Sequence, residues 1–452
     1  MLSVNRERLE AQLKQEGSWI GPAPWIEVAP PGPHARAVMA RDRVASAPNY
    51  LRVYPLVVER AAGSVVQDVD GNRYLDFAAG TALSVAGHCH PKVTVAVQQQ
   101  AAKLLHVGSN DFYHEAMVAL MEKLAQLAPG HGPRRVLLTT SGAEAVEAAF
   151  KLARYHTGRQ WVVAFHGAFH GRSMGALSLT WHVAAGGQPP RSEGRPASGF
   201  EPLVPMVAHV PYDEPEALES ELRRQRVDAA EVAAVFVEPV LATAGYVVPA
   251  PAFFTRLRAL CDRHGMLLVA DEIHTGMGRS GQWFAIQHSG VTPDMVLLGA
   301  GLAGGLPLGA VIAGERVDHW PTGALTSTVS GNPLSCAAAL ATIEVVERVG
   351  LGNAARLGER LRALLGEIAG RRKCLAGVRG VGLMGGLDVV NRKSGKLDHH
   401  LRDRILSEAF RRGLIVLPCG AHCIRFCPPL VLNETQLEVG LQLFDEAVAT
   451  VV

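Results

Sequence analysis

Met266-Leu267-Leu268-Val269-Ala270-Asp271-Glu272 is an apolar run that closes on two acids. Apolar on both alternating faces, it reads as a fully buried parallel strand that delivers a carboxylate at its C-terminal end. Ile273-His274-Thr275-Gly276-Met277-Gly278-Arg279-Ser280-Gly281 follows, a loop too rich in glycine for a helix. A second apolar strand, Met295-Val296-Leu297-Leu298, runs into Gly299-Ala300-Gly301-Leu302-Ala303-Gly304-Gly305-Leu306-Pro307-Leu308-Gly309. From Met295 to Gly314 no residue is charged, a length that could suit a membrane helix. The glycines and Pro307 argue instead for strand, loop and strand.

The same pattern of buried strand and small-residue turn recurs upstream. Arg135-Val136-Leu137-Leu138-Thr139-Thr140 is a strand, and Ser141-Gly142-Ala143-Glu144-Ala145 turns it into a helix ending near Gly158. Small residues there expose backbone N–H groups at the positive end of the helix, which suits a phosphate. Trp161 to Phe165 is another strand, leading to Gly167-Ala168-Phe169-His170-Gly171-Arg172, and Val232 to Val237 closes on Glu238-Pro239. Ser64 to Phe77 reads as a hairpin about Asp70-Gly71-Asn72. Residues 21–56, rich in proline, suggest an irregular arm that wraps rather than a domain. Asn332 and Pro333 are good N-cap and first-turn residues for a helix from Leu334 to Arg348.

Gly87-His88-Cys89-His90-Pro91 invites a metal site, but Pro91 fits the first turn of a helix from Lys92 to Leu105, and the structural reading is preferred. The seven cysteines are scattered, which points to a reducing cytoplasm without disulfides. Cys419, Cys423 and Cys427 are evenly spaced with only His422 as a further ligand, and read as small buried residues. Gly299 to Gly304 and Gly380 to Gly385 both spell G-x-G-x-x-G, but neither stands between a strand and a helix, so dinucleotide binding is rejected. A formal charge of +2 on 452 residues points to no nucleic-acid or membrane surface. The length suits two lobes, and 48% hydrophobic with 19% charged residues suits a compact fold. No apolar core of a secretory signal occurs in Met1 to Ile20.

Taken together, the motifs resemble the class III (omega-type) aminotransferases, the subgroup II branch of fold-type I pyridoxal phosphate enzymes. The family's D-E-[IV]-x-x-G-x-G-R-x-G is matched from Asp271, S-G-[AST]-E-A from Ser141, and G-x-[FY]-H-G-R from Gly167. G-H-x-H-P, S-T-[FY]-G-G-N-P and [LI]-R-x-x-P-P-L are matched around His88, Ser327 and Arg425, with Val329 and Ser330 departing from the second. The resemblance spans Tyr54 to Leu430. It implies an α/β fold with a large domain on a mostly parallel seven-stranded sheet and a smaller α+β domain. The expected division is an arm and part of the small domain in 1–80, the pyridoxal phosphate domain in 81–335, and the C-terminal small domain in 336–452.

By that resemblance Ser141, Gly142, Ala143, Phe169, His170, Glu238, Asp271, Ile273, His274 and Thr328 hold pyridoxal 5'-phosphate. Asp271 is the candidate to keep the ring nitrogen protonated, because an opposite charge favours the charged form. Phe169 would stack on the ring, Ile273 would pack under it, and His274 stands where relatives have glutamine. Thr81, Arg172 and Arg425 would meet the substrate, the two arginines its carboxylate. Thr328 would reach the phosphate of a neighbouring subunit, which implies a homodimer or a dimer of dimers. Thr243 replaces the acid that pairs with a mobile arginine in many relatives and serves as a second acid–base group in some racemases.

One position departs decisively. Ala300 stands where the family keeps its Schiff-base lysine, and none of the eight lysines falls between Lys151 and Lys373. The lysine has been replaced deliberately to trap an intermediate, or the chain is a natural non-catalytic homologue that binds the cofactor. The intact remainder of the motifs favours replacement. The parent activity implied is transfer of an amino group between an amino acid or omega-amine and a 2-oxo acid. Amino-acid racemisation or epimerisation on the same scaffold is the alternative.

Overall fold

The computed structural model describes residues 20–181, 200–317 and 319–452. The run quoted above becomes strand β8, Leu267–Asp271, in the middle of a seven-stranded sheet. Its companions are β4 (Arg134–Thr139), β5 (Trp161–Phe165), β6 (Val207–Val210), β7 (Val232–Val237), β9 (Met295–Leu298) and β10 (Gly309–Gly314), in the order β4-β10-β9-β8-β7-β5-β6. β7, β8 and β9 pair in parallel, as β5 does with β6 and β7, whereas β10 runs antiparallel to both β4 and β9. The mostly parallel sheet expected from the sequence is therefore present.

The uninterrupted apolar runs follow from helices covering both faces of this sheet. Leu268, Ala270 and Val235 feed one core, and their neighbours Leu267, Val269 and Phe236 feed a second. Every residue of β7 and β8 is buried. Burying each such large apolar side chain contributes about 1.5–3 kcal/mol.

Two smaller sheets flank it. One runs β1 (Val58–Ala62), β2 (Val65–Asp68), β3 (Arg73–Asp76) and β13 (Leu414–Ile415), the last added in parallel from the far end of the chain. The other runs β11 (Leu375–Val381), β12 (Met384–Val389), β15 (Cys423–Phe426) and β14 (Leu417–Cys419). β2 and β3 form the expected hairpin, with Val65 opposite Leu75. Gly380 to Gly385 is the turn between β11 and β12, and Gly299 leads into a short 3₁₀ turn, Ala300–Ala303.

Two expectations are corrected. The proline-rich arm contains a helix, Pro33–Ala45. Its first turn is satisfied from outside, by Asp70 of the β2–β3 turn, which accepts from His34 N (2.8 Å) and Ala35 N (2.9 Å). A cap supplied from 35 residues away leaves no local signal. The helix that Asn332 caps, Pro333–Val345, does not stop at Arg348. It passes through a π turn, Val346–Gly350, into a further helix, Leu351–Arg371. Among the described residues no helix is long and apolar enough to cross a membrane.

Ala79–Ala82 is an unusual turn: all four residues have positive φ, between 47° and 68°. Left-handed backbone costs roughly 1–2 kcal/mol per non-glycine residue, so other contacts must hold it. Asp76 Oδ1 accepts from Ala78 N (2.8 Å) and Ala79 N (3.0 Å), while Oδ2 is bound by His88 Nε2 at 2.7 Å.

Gly358 and Gly366 on the helix Leu351–Arg371 should respond oppositely to alanine. A Cβ at Gly358 would lie 2.6 Å from Gly382 Cα, whereas nothing lies within 4 Å of one at Gly366. Gly358→Ala should cost about 1–3 kcal/mol, and Gly366→Ala should add about 0.5–1 kcal/mol. Urea denaturation midpoints check both; equal shifts would contradict this packing.

Candidate active site

The C-terminal end of β8 carries Asp271, whose carboxylate is 3% exposed and would be costly without partners. Oδ1 accepts from Ile273 N at 3.0 Å, and Oδ2 lies 2.6 Å from His170 Nδ1. Facing a carboxylate, Nδ1 is the donor and fixes the tautomer. His170 Nε2 is buried and has no hydrogen-bond partner among the described residues.

Glu238, at the end of the adjacent β7, is buried as deeply. Oε1 accepts from Phe169 N (2.8 Å) and Oε2 from Ala242 N (3.2 Å). Burial, then the charge of Asp271, pushes its carboxyl well above the usual range. Two acids on neighbouring strands thus fasten the loop 166–172, one through His170 and one through the Phe169 amide.

Ser141 is the N-cap of the helix Gly142–Thr157, its Oγ accepting from Glu144 N at 3.2 Å. Glu144 reaches back to Thr140 N at 2.6 Å. The first intrahelical bond is Ala145 N to Ser141 O, so the amides of Gly142 and Ala143 precede it and stay free for a ligand. A Cβ at Gly142 would lie 2.8 Å from Ile273 Cγ2, and one at Gly299 would lie 3.2 Å from that atom and 2.8 Å from Gly142 Cα. Only glycine allows this approach, which brings three motifs together: the 141–143 turn, the end of β8, and the turn entering Ala300. A free helix N-terminus beside a buried carboxylate, with an apolar side chain between them, fits a phosphate-bearing aromatic cofactor.

His274 lies on the other side of Ile273. Its Nε2 is 2.8 Å from Tyr246 Oη. Burial first, then the guanidinium groups of Arg425 and Arg279, holds its imidazole well below the ordinary histidine value. Tyr246 was not singled out in the sequence. It is fully buried with φ +57°, at the end of a loop closed by Leu241 N to Val247 O (3.0 Å). Nothing local marks it, because the closure depends on the pairing of 241 with 247.

Arg425 sits on β15 beside Tyr246. Burial opposes its charge, but Tyr246, Cys419, Cys427 and Cys423 outweigh burial and hold the guanidinium above the usual arginine range. Among the described residues no carboxylate pairs with it. Thr243 has its hydroxyl 3.5 Å from Gly167 O. Arg172 is exposed, its Cζ 5.9 Å from the Phe169 ring centroid. Thr81 is exposed on the left-handed turn, and Gly301 next to Ala300 packs near that turn, a Cβ there lying 3.3 Å from Ala82 O.

Thr328 is exposed on a loop braced by Ser109 Oγ to Ser330 O (2.7 Å) and His114 Nε2 to Gly331 O (2.9 Å). A small cavity separates this loop from the flank of the 141–143 turn, lined by Asn110, Leu138, Thr139, Glu144, Thr326 and Ser327. His88 is committed to Asp76, and His90 Nδ1 accepts from Lys92 N at 3.2 Å. Among the described residues no group of three or more histidine, cysteine or acidic side chains is arranged to hold a metal ion.

Comparison with known proteins gives the same assignment. The model of the aminotransferase class-III family matches residues 45–448. The chain is 40% identical over 418 residues to a 5-aminovalerate aminotransferase of Pseudomonas aeruginosa, covering 90% of this chain and 97% of that protein. It is 35% identical over 450 residues to an alanine/serine racemase of Pyrococcus horikoshii, covering 94% and 92%. Among solved structures, an ornithine aminotransferase from Toxoplasma gondii superposes with a TM-score of 0.80 at 30% identity, over 92% of this chain and 95% of that one. The chain belongs to the class III aminotransferases, a family whose cofactor is pyridoxal 5'-phosphate.

Proposed function

We propose that this protein is built to move an amino group between a carboxylate-bearing amine and a 2-oxo acid, and is arrested because Ala300 stands in place of the lysine. The observation that carries the reading is the convergence of the free helix end at 142–143, Ile273 and the buried Asp271–His170 pair on the turn that holds position 300. Its similarity to a 5-aminovalerate aminotransferase supports an omega-amino acid as donor.

Pyridoxal phosphate, when bound, draws electrons from the substrate Cα into its ring. Ser141 and the Gly142 and Ala143 amides would hold the phosphate. Asp271, oriented by His170, would keep the ring nitrogen protonated, while Phe169 and Ile273 would pack against the ring faces. Glu238 would hold Phe169 in place. Arg425, without an acid at position 243 to quench it, would anchor a carboxylate, with Arg172 at the exposed rim. Thr328, exposed beside the cavity at the cradle's flank, supports a dimer in which it reaches a neighbouring subunit's phosphate. Racemisation is the second reading, favoured by the similarity to an alanine/serine racemase.

Ala300→Lys is the direct test. It should give a cofactor that stays attached after borohydride reduction and denaturation, and activity should rise at least about 10²-fold, the lower range for a positioned acid–base group. Keto-acid formation with an omega-amino acid supports transfer, whereas enantiomer exchange without it supports racemisation. Neither attachment nor activity would make the chain a natural non-catalytic homologue.

In that lysine-bearing background, Arg425→Ala should raise KM by about tenfold or more, since a charge-assisted bond is worth about 1.5–3 kcal/mol. Arg172→Ala, at an exposed position, should raise it less. An unchanged KM in both would place the carboxylate elsewhere.

The neutral state of His274 has a consequence for stability. Unfolded, an ordinary histidine takes up its proton below pH 6.5, and folded His274 resists until lower pH. In that window the unfolded state holds more protons, so stability is lost as pH falls below 6.5 and is unaffected above it. The drop in denaturation midpoint between about pH 7.5 and about pH 5.5 should therefore be smaller in His274→Gln than in the parent. An equal drop would place a different histidine behind the acid loss.

A further inference from the structure

Three thiols stand near Arg425, and two of them face each other. Cys419 and Cys423 are register partners at the closed end of the β14–β15 hairpin, joined by Gly420-Ala421-His422. Directly opposed residues put their side chains on the same face of the pair, and Cys423 Sγ lies 3.4 Å from Ile424 O. Both cysteines are buried, while Gly420 at the turn is exposed. Directly opposed residues of an antiparallel pair have Cα atoms about 4.5–5.5 Å apart, inside the roughly 4.4–6.8 Å that a disulfide spans. Chain geometry therefore already satisfies the main requirement for a bond between them.

The surroundings give the two sulfurs different roles. Cys419 Sγ lies 2.9 Å from Ala242 O and 3.3 Å from Thr243 O, contacts that favour the S–H form. The Cys423 thiol, then Arg425, the Gly245 amide and Arg379 favour the thiolate, and they prevail over burial. Cys423 is pushed the other way by the neighbouring Cys419 sulfur and by burial. One sulfur is thus prepared as nucleophile and the other as proton donor. The contrast within the chain is sharp: burial pushes Cys261 and Cys336 up to about 12, and neither has this arrangement.

We propose that Cys419 and Cys423 are a thiol-modification site that closes to a reversible disulfide when the protein meets a peroxide. The Cys419 thiolate attacks one oxygen of hydrogen peroxide, breaking the O–O bond and giving a sulfenic acid and hydroxide. Cys423 then attacks that sulfur. The S–S bond forms as the S–O bond breaks, and the departing hydroxide leaves as water with the Cys423 proton. The two sulfurs are oxidised and the peroxide is reduced to water; a dithiol reverses the change by exchange. Closing the bond removes the S–H that lies against the Ala242 and Thr243 carbonyls, so the hairpin loses these two contacts to the 242–243 segment. On the Cys423 side there is no slack, since a Cβ at Gly245 or Gly386 would lie 3.1 or 3.3 Å from its sulfur.

The test uses the full chain and does not depend on its catalytic reading. After hydrogen peroxide treatment the protein is denatured, alkylated and cut with trypsin. Cleavage at Arg412 and Arg425 releases residues 413–425, which contain Cys419 and Cys423 but not Cys427. This peptide should be lighter by two hydrogens and unalkylated, and doubly alkylated if dithiothreitol follows the peroxide. Cys423→Ser should leave Cys419 as a sulfenic acid that dimedone captures, and Cys419→Ser should leave Cys423 fully alkylated. A parent peptide that stays doubly alkylated while the exposed Cys89 is oxidised would overturn the proposal. So would a crosslink from Cys419 to Cys427 in place of Cys423.

Discussion

A carboxylate taken out of water at the end of a buried strand has to be met by hydrogen bonds, and the meeting of Asp271 with His170 at 2.6 Å sets the arrangement of the rest. The two residues come from different strands, β8 and the loop after β5, with β7 between them. Holding them together fixes how far those strand ends can spread. Glu238 at the end of β7 occupies the gap and ties the same loop by the Phe169 amide. Burial, and then the neighbouring Asp271, pushes its carboxyl well above the usual range, which favours the uncharged form beside another acid.

Close approach is the second constraint, and it explains where glycine is required. Gly142, Gly299 and Ile273 meet within distances that leave no space for another side chain. The helix N-terminus, the strand carrying the acid and the turn entering Ala300 are therefore brought into close contact.

Much of this was legible in sequence because it is encoded locally. Continuous apolar runs at 232–237 and 267–271 mark strands covered on both faces, and the Asn332-Pro333 start of a helix depends on residues next to it. What was not legible depends on residues distant along the chain. Asp70 caps the helix Pro33–Ala45 from another element, and Asp76 with His88 holds a left-handed turn that no propensity suggests. Tyr246 is turned inward by a loop closure and reaches His274 only because β7 and β8 are neighbours. Arg172 was grouped with Arg425 by motif, yet one is exposed and the other lies among thiols and a tyrosine.

The charge distribution explains why His274 differs from an ordinary histidine and what that means for binding. Arg425 and Arg279 already place two guanidinium groups near it, without a carboxylate partner among the described residues for either. A third positive charge there would be repelled by both, so the imidazole stays neutral and serves as a dipole held by Tyr246. With Ala300 the local excess of positive charge still comes from the arginines, and a substrate carboxylate is the group best able to relieve it. Binding and chemistry are separable on the reading proposed above: the charges that would hold a substrate lie on β15 and in the loop after β5, while position 300 belongs to the turn after β9.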